Sequence, residues 1–398
     1  MPLDAGADLP ATCYSCLLQD WMNIMSLRES YRESESTLNR LSGLEVSGSR
    51  FEVVNQAGCV DYDRFYEEKA LPENAGEGEL QVLQFDGKGV PVIKREAAKL
   101  KSRLGKGEKH QKKKEAMVGV SYTVDRKERT PEEVAENLIY PDKVEQRKAE
   151  IKQQSRDIKE APRAKNIRRL ASLAKPKQTV VEEMAADSQK RNKANQRPLV
   201  ILMDGARGLR ELIIKVLAGL DFTGILDIIH VTEYLWKAGN ALYGENTASG
   251  KKWVYHQLLA ILQGRVGWVI GGMKQTLTKR KLKAAQRKAL YSAIQYFENH
   301  RQWMKYDEYL KAGFPIGTGV VESTCGHTVK DRMEGSGRRW SIAGAESVLL
   351  LRSVYTSGDR ELYWQEHIRF ERERLYGDIL KTGNICDDYY KNEEKKAA

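Results

Sequence analysis

Leu80-Gln81-Val82-Leu83-Gln84-Phe85-Asp86-Gly87-Lys88-Gly89-Val90 decides how the rest of the chain is read. Its apolar residues make a run of strand length that stops at a carboxylate followed by glycine. The same grammar returns at Leu199-Val200-Ile201-Leu202-Met203-Asp204-Gly205, a run of the kind buried on both faces of a sheet. A third carboxylate, Glu322, follows Pro315-Ile316-Gly317-Thr318-Gly319-Val320-Val321. Asp-Gly alone is a common turn, and an isolated Glu is usually a solvated helix position. Two Asp and one Glu in these settings, on a basic chain, point to divalent-metal chemistry on nucleic acid.

The basic character is marked. Lys and Arg number 66 against 55 Asp and Glu, a net charge of +11 over 398 residues. Such a balance favours a polyanionic partner, because each cation that meets a phosphate releases a condensed counterion. The length suffices for two or three domains, and 41% hydrophobic residues can build a sizeable core. The five cysteines include one Cys13-x-x-Cys16 pair with no second pair at zinc-finger spacing. An odd count with no secretory leader fits a reducing cytoplasm, and no apolar stretch reaches bilayer-spanning length.

Along the chain, 1–78 reads as a helical region, with Leu17, Leu18, Trp21, Met22 and Met25 at helical spacing and Ser47 as an N-cap. It is compatible with a helix-turn-helix DNA reader and with a small helical cap. From 79 the pattern is strand: one to Asp86, a turn at Gly87-Lys88-Gly89, a second over Val90–Ile93, and a third over Met117–Val124. The basic segment Lys94–Lys114 forms the loop between the last two. Three strands in series describe an antiparallel meander. Thr130-Pro131-Glu132-Glu133 starts a helix, and helical, charged sequence is expected onward to about Gln196, with Arg168 and Arg169 among its cations. A strand over 224–231 holds Asp227 and His230. Residues 236–314 read as an all-helical insertion anchored by Trp236, Trp253, Trp268 and Trp303. The Glu-bearing helix lies in 315–358, and 359–398 reads as a charged tail. The sheet segments of 79–235 and 315–358 make one α/β core, a mixed sheet flanked by helices.

Phosphodiester transfer can be run by two Mg²⁺ ions about 4 Å apart, held by oxygen ligands. Asp86 on the central strand would bridge them, Asp204 would hold the second, and Glu322 would complete one shell. Gly87 and Gly205 would clear space for a DNA backbone. Asp227 and His230 could serve a scissile phosphate or brace the sheet. Lys88 and Lys112, Lys113 and Lys114, with Lys330, Arg332, Arg338, Arg339 and Trp340, are the candidate DNA contacts; guanidinium groups suit phosphate oxygens and an indole can stack on a base. The alternative for this set is a solvated basic surface.

Taken together, Leu-Gln-Val-Leu-Gln-Phe-Asp86-Gly-Lys-Gly-Val-Pro, Arg129-Thr-Pro-Glu-Glu-Val, Asp204-Gly-Ala, Ile-Leu-Asp227-Ile-Ile-His230-Val-Thr-Glu-Tyr-Leu-Trp and Pro-Ile-Gly-Thr-Gly-Val-Val-Glu322-Ser resemble the bacterial insertion-sequence transposases of the ISKra type, distant relatives of the mutator-like DDE transposases. The likeness runs from roughly Glu79 to Tyr363, through Gly-Arg-Arg-Trp340, Gly344-Ala-Glu and Leu-Leu-Leu-Arg352-Ser. Relatives often carry further N-terminal sequence with Cys-rich elements, whereas this chain opens at Met1-Pro-Leu-Asp. The resemblance implies an RNase H-like catalytic domain with a helical insertion, and Asp86, Asp204 and Glu322 as the catalytic, metal-binding triad. It places Asp227 and His230 on the group's C/D-x-x-H motif. It implies two Mg²⁺ or Mn²⁺ ions, cleavage of double-stranded DNA at transposon ends, and joining of the freed 3′-hydroxyl to target DNA. A bacterial, nucleoid-associated homo-oligomer acting on DNA and not on membrane is the corresponding setting. The rival expectations are an RNase H-like nuclease or junction resolvase without strand transfer, a domesticated derivative that binds DNA without chemistry, and a basic scaffold with no metal.

Overall fold

The structure is a computed structural model and describes residues 4, 9–100, 113–153, 162–193, 196–335 and 337–381. Its centre is a five-stranded mixed sheet in the order β3-β2-β1-β4-β5. The strands are β1 (Leu80–Pro91), β2 (Lys113–Val124), β3 (Lys165–Ser172), β4 (Leu199–Met203) and β5 (Thr223–Leu226). The first three are antiparallel in chain order, and β1, β4 and β5 run parallel. β1, the strand that carries Asp86, is therefore the middle one. It is buried on both faces: Leu80, Val82, Leu83 and Phe85 are apolar core, while Gln81 and Gln84 are buried with partners on β2.

Three expectations about the sheet need correcting. β1 does not turn at Gly87-Lys88-Gly89; it runs on to Pro91, paired residue for residue with β2. The glycines are there because β2 side chains cross over them: a Cβ on Gly87 would lie 1.9 Å from an oxygen of Glu115, and one on Gly89 would lie 3.1 Å from Lys113 Cδ. Second, the meander is completed by Lys165–Ser172, which had read as charged helix. Its arginines are internal: Arg168 pairs with Asp187 at 3.1 Å and lies over the Tyr66 ring, and Arg169 donates to Thr324 Oγ1. Neither is a free DNA contact. Third, β5 ends at Leu226, and Asp227 caps a helix instead of continuing the strand.

The helices are α1 (Cys16–Arg28), α2 (Tyr31–Ser42), α3 (Gly48–Gly58), α4 (Tyr62–Glu68), α5 (Pro131–Ile139), α6 (Pro141–Gln153), α7 (Lys177–Arg191), α8 (Arg207–Val216), α9 (Ile228–Tyr243), α10 (Ala248–Leu262), α11 (Val266–Lys279), α12 (Ala284–His300), α13 (Tyr306–Lys311), α14 (Gly319–Thr324), α15 (Ile342–Ser357) and α16 (Arg360–Lys381). A one-turn helix, Lys94–Ala97, follows β1. Thr130 caps α5 as its sequence predicts, accepting from Glu133 N. Ser47 holds the N-cap position of α3 but makes no side-chain cap bond. Helices α9–α12 follow β5 in series, as expected of an all-helical segment; α9 begins at Ile228, so the expected boundary at residue 236 falls inside it. Trp268 is exposed on it and anchors nothing, whereas Trp236, Trp253 and Trp303 pack against the core.

The N-terminal helices carry a small core of their own, Met22, Leu38, Val46, Phe51 and Val54. The segment taken for a charged tail contributes α16, which docks back on this region: Tyr363 Oη donates to Gly58 O, and Asp61 holds both His367 and Arg374. Among the described residues no helix is long and apolar enough to cross a membrane.

Candidate active site

Strand register builds the site. Gln84 of β1 faces Leu202 of β4, so two residues further along each strand Asp86 and Asp204 stand at equivalent positions. Met203 of β4 faces Leu226 of β5, so the next pair is Asp204 and Asp227. Three aspartates thus form a row at one level of the sheet, Asp86 midway along β1 and Asp204 and Asp227 just past the last residues of β4 and β5. Side chains at the same register of parallel strands share a face, so the row is a property of the pairing.

Glu322 comes to this row from α14. Gln84, two residues before Asp86 and on the same face, accepts Val321 N–H through its side-chain carbonyl at 2.9 Å and donates to Tyr122 Oη at 2.8 Å. The buried Asp227 carboxylate accepts Thr318 N–H at 3.2 Å, and Thr318 Oγ1 donates to Glu322 Oε1 at 2.9 Å. The helix that carries Glu322 is therefore fixed at two points, one on β1 and one at the end of β5. Beyond Thr324 the chain continues as a π-helical stretch, Cys325–Lys330, a geometry concentrated at functional sites. Cys325 donates its thiol to Asp86 Oδ2 at 3.3 Å, while Asp86 Oδ1 accepts the Gly87 N–H.

Asp227 is the hub. Its Oδ1 also caps α9 through Ile229 N–H, and its Oδ2 meets His230 Nδ1 at 2.7 Å. That hydrogen bond, against the opposing effect of burial, pushes the His230 imidazole up to about 9, with the charges of Asp227, Asp204 and Glu233 adding to it. At neutral pH His230 is an imidazolium on the rim of an acidic centre. Asp227, His230 and Glu322 each place a donor atom within 4.8 Å of the others. Asp86 and Asp204 are not in that compact group, although they were expected to share ions with Glu322. Both oxygens of Asp227 are already engaged, and His230 is turned to Asp227 through Nδ1.

Asp204 carries the mark of crowding. Burial above all raises its carboxyl above the ordinary value; the Ala206 N–H and His230 oppose this, while Asp86 and Asp227 add to it. Gly205 follows at φ +85°, and a Cβ there would lie 2.6 Å from Tyr296 Oη. It serves a left-handed turn and the close approach of Tyr296, whose hydroxyl donates to Asp204 O, and not clearance for DNA. His300 Nε2 bonds Gly205 O, and Tyr296 stacks on Tyr234 at 3.9 Å.

The candidate DNA contacts divide. Lys330 and Arg339 are exposed and Lys88 is half-buried beside the centre. Lys113 pairs with Glu334 at 2.7 Å, and Arg338 donates to Arg332 O. Lys114 is half-buried on β2, and Lys112 lies outside the described residues. Arg332 and Trp340 must be withdrawn as surface contacts because both are buried. Arg332 donates to Ser26 O and sits against the faces of Trp340 and Tyr31; burial brings its guanidinium down to about 10. Arg352 reaches Leu27 O and Thr328 O beside it. These two arginines weld the end of α1 to the segment that follows Glu322.

The positioning residues Gln84, Thr318 and Cys325 were missed. Gln84 and Cys325 had local signals: Gln84 is one strand period before Asp86, and Cys325 is one helical turn after Glu322. The chain matches no protein-family model and no curated protein.

Proposed function

We propose that this chain is a DNA phosphoryl transferase of the DDE transposase type, built on an RNase H-like core. The observation that carries the reading is the register row of Asp86 and Asp204 under the Glu322 helix. The sheet order β3-β2-β1-β4-β5, with the first three strands antiparallel, supports it, and so does the net charge of +11.

The donor set fits hard divalent cations. All of its members are carboxylate oxygens, and burial, with the charge of Asp86 adding to it, raises the Asp204 carboxyl in a way that a cation relieves. Asp86, Asp204 and Glu322 would hold Mg²⁺ or Mn²⁺, which when bound activates the attacking oxygen and stabilises the leaving one. The chain's own residues do the rest. Gln84 and Thr318 hold Glu322 over the sheet, and Cys325 and Gly87 orient Asp86. His230, kept cationic by Asp227, offers a charge-assisted donor to a phosphate oxygen. In cleavage, a water oxygen forms a bond to phosphorus and the bond to the 3′-oxygen breaks, leaving a 3′-hydroxyl. In transfer, that hydroxyl attacks a target phosphodiester and releases a target 3′-hydroxyl.

The test is a strand-transfer assay with pre-cut duplex ends, purified protein and Mg²⁺ or Mn²⁺. Joined product that disappears in Asp86→Asn is expected. Hydrolysis with no joined product would reassign the chain to a nuclease, and no metal-dependent chemistry would end the reading.

A further inference from the structure

Helices α5, α6 and α10 enclose a groove of about 510 Å³ lined by Glu136, Tyr140, Lys143, Arg147, Lys252 and Tyr255, among others. Its floor is aromatic: Tyr140 and Tyr255 meet at 5.5 Å. The cations converge on that floor. Lys143 Nζ lies 5.1 Å from the Tyr140 ring centroid and Lys251 Nζ lies 4.9 Å from it. Two ammonium groups therefore share one ring and stand within about one Debye length, ~10 Å, of each other. Lys252 adds a third charge on the same wall. None of these three lysines has a carboxylate partner among the described residues. Glu136 on the groove wall pairs with Arg147 of the same wall at 3.1 Å, and Glu132 accepts from Gln263.

Like charges gathered around one ring lower their mutual repulsion by taking up an anion. The ring holds the lysines through cation–π attraction, and neither ammonium has a carboxylate partner among the described residues. Phosphate oxygens spaced along a strand match such a row better than a single carboxylate does.

The groove's position fits the same substrate as the active site. Asp227 caps one end of α9, and Lys251 and Lys252 are the fourth and fifth residues of α10, the helix that follows its other end. At 1.5 Å per residue, α9 is about 24 Å long. That is roughly seven base steps at 3.4 Å each. We propose that this groove binds the phosphate backbone of the duplex on which the active site acts, about seven base pairs from the reacting phosphate. The proposal rests on the DNA-transferase reading for the identity of its ligand.

The experiment is fluorescence anisotropy of the full chain with a 40-base-pair duplex in EDTA, across a salt series, so that no chemistry is needed. Lys143→Gln, Lys251→Gln and Lys252→Gln are combined in one variant, which keeps the aliphatic stems, and its fold is checked by circular dichroism. Three lost phosphate contacts should flatten the slope of log K against log salt by about 3, at ~0.9 per contact. Binding at 0.1 M salt should weaken at least tenfold, and the matching triple Lys→Arg variant should restore both. A wild-type slope and affinity in the folded triple Gln variant would overturn the groove while leaving the catalytic reading untouched. Conversely, a wild-type chain that fails to cleave DNA but shows the slope change would retain the groove and lose the transferase.

Discussion

Gln84 and Val321 are joined by a 2.9 Å hydrogen bond that ties the strand bearing Asp86 to the helix bearing Glu322. The bond spans 237 positions of sequence, and it is buried. It converts two separate carboxylates into parts of one site, because the Gln84 side chain is locked at its other end by Tyr122. Replacing it by Leu orphans the Val321 N–H and the Tyr122 hydroxyl. Each orphaned buried group costs about 1–3 kcal/mol. Gln84→Leu should lower the melting temperature and reduce cleavage more than it reduces DNA binding. Calorimetry and anisotropy read the two effects separately.

Asp227 should prove to be a positioning residue. Asn at this position keeps the helix cap, since Asn and Asp cap equally well. It removes the negative charge that holds His230 protonated. Asp227→Asn and His230→Gln should each cost about 10–100-fold in kcat, the range typical of groups that orient a metal site. Melting temperatures should move by only a few degrees, and metal affinity should change less than it does in Asp204→Asn. A collapse of metal binding in Asp227→Asn would instead make the Asp227–His230–Glu322 cluster the metal site.

The half-buried Asp204 carboxylate beside Asp86 predicts a thermal response to divalent ions. A ligand that binds only the folded state at 100 times its Kd stabilises by about 2.7 kcal/mol. Mg²⁺ or Mn²⁺ should raise the melting temperature of the wild type. EDTA should reverse the rise, and Asp86→Asn or Asp204→Asn should abolish it. Differential scanning fluorimetry suffices.

The docking of α16 predicts an acid-sensitive joint. Burial raises the Asp61 carboxyl, but hydrogen bonds from His367 and Arg374 outweigh it and hold the group below its ordinary value. A depressed folded-state value gives stability that is present above the unfolded value of about 3.9 and is lost as pH falls through the folded one. The wild type should therefore lose stability below about pH 4 more steeply than Asp61→Asn. At pH 7 the variant keeps an acceptor for the part-exposed Arg374 but loses the charged partner of buried His367, and should be less stable by about 1–3 kcal/mol.

How much of this was legible depended on whether a residue's environment is local. The apolar runs before Asp86 and Asp204 announced buried strands because both faces of β1 and β4 are covered, and burial leaves a compositional trace. Thr130 announced α5 because a cap is made within four residues. β3 was hidden because Arg168 and Arg169 find their partners on α7, α14 and α15, far away in sequence, and charged residues without visible partners read as solvent-facing. Arg332 misled for the same reason: its partners are Ser26, Tyr31 and Trp340. The glycines after Asp86 resembled a turn because the crossing side chains belong to β2, whose register the sequence does not display. In the site, chain spacing identified the carboxylates but not the contacts that aim them, since Gln84 and Thr318 act through bonds made only after folding.

The central claim is that Asp86 and Asp204, aligned by strand register, hold the ions with Glu322. Mn²⁺ diffused into crystals of the protein and located by anomalous scattering tests it most directly. The account predicts anomalous density bounded by the carboxylates of Asp86 and Asp204 and reached by Glu322. Density confined to Asp227 and His230, or none at the strand ends at saturating Mn²⁺, would contradict it.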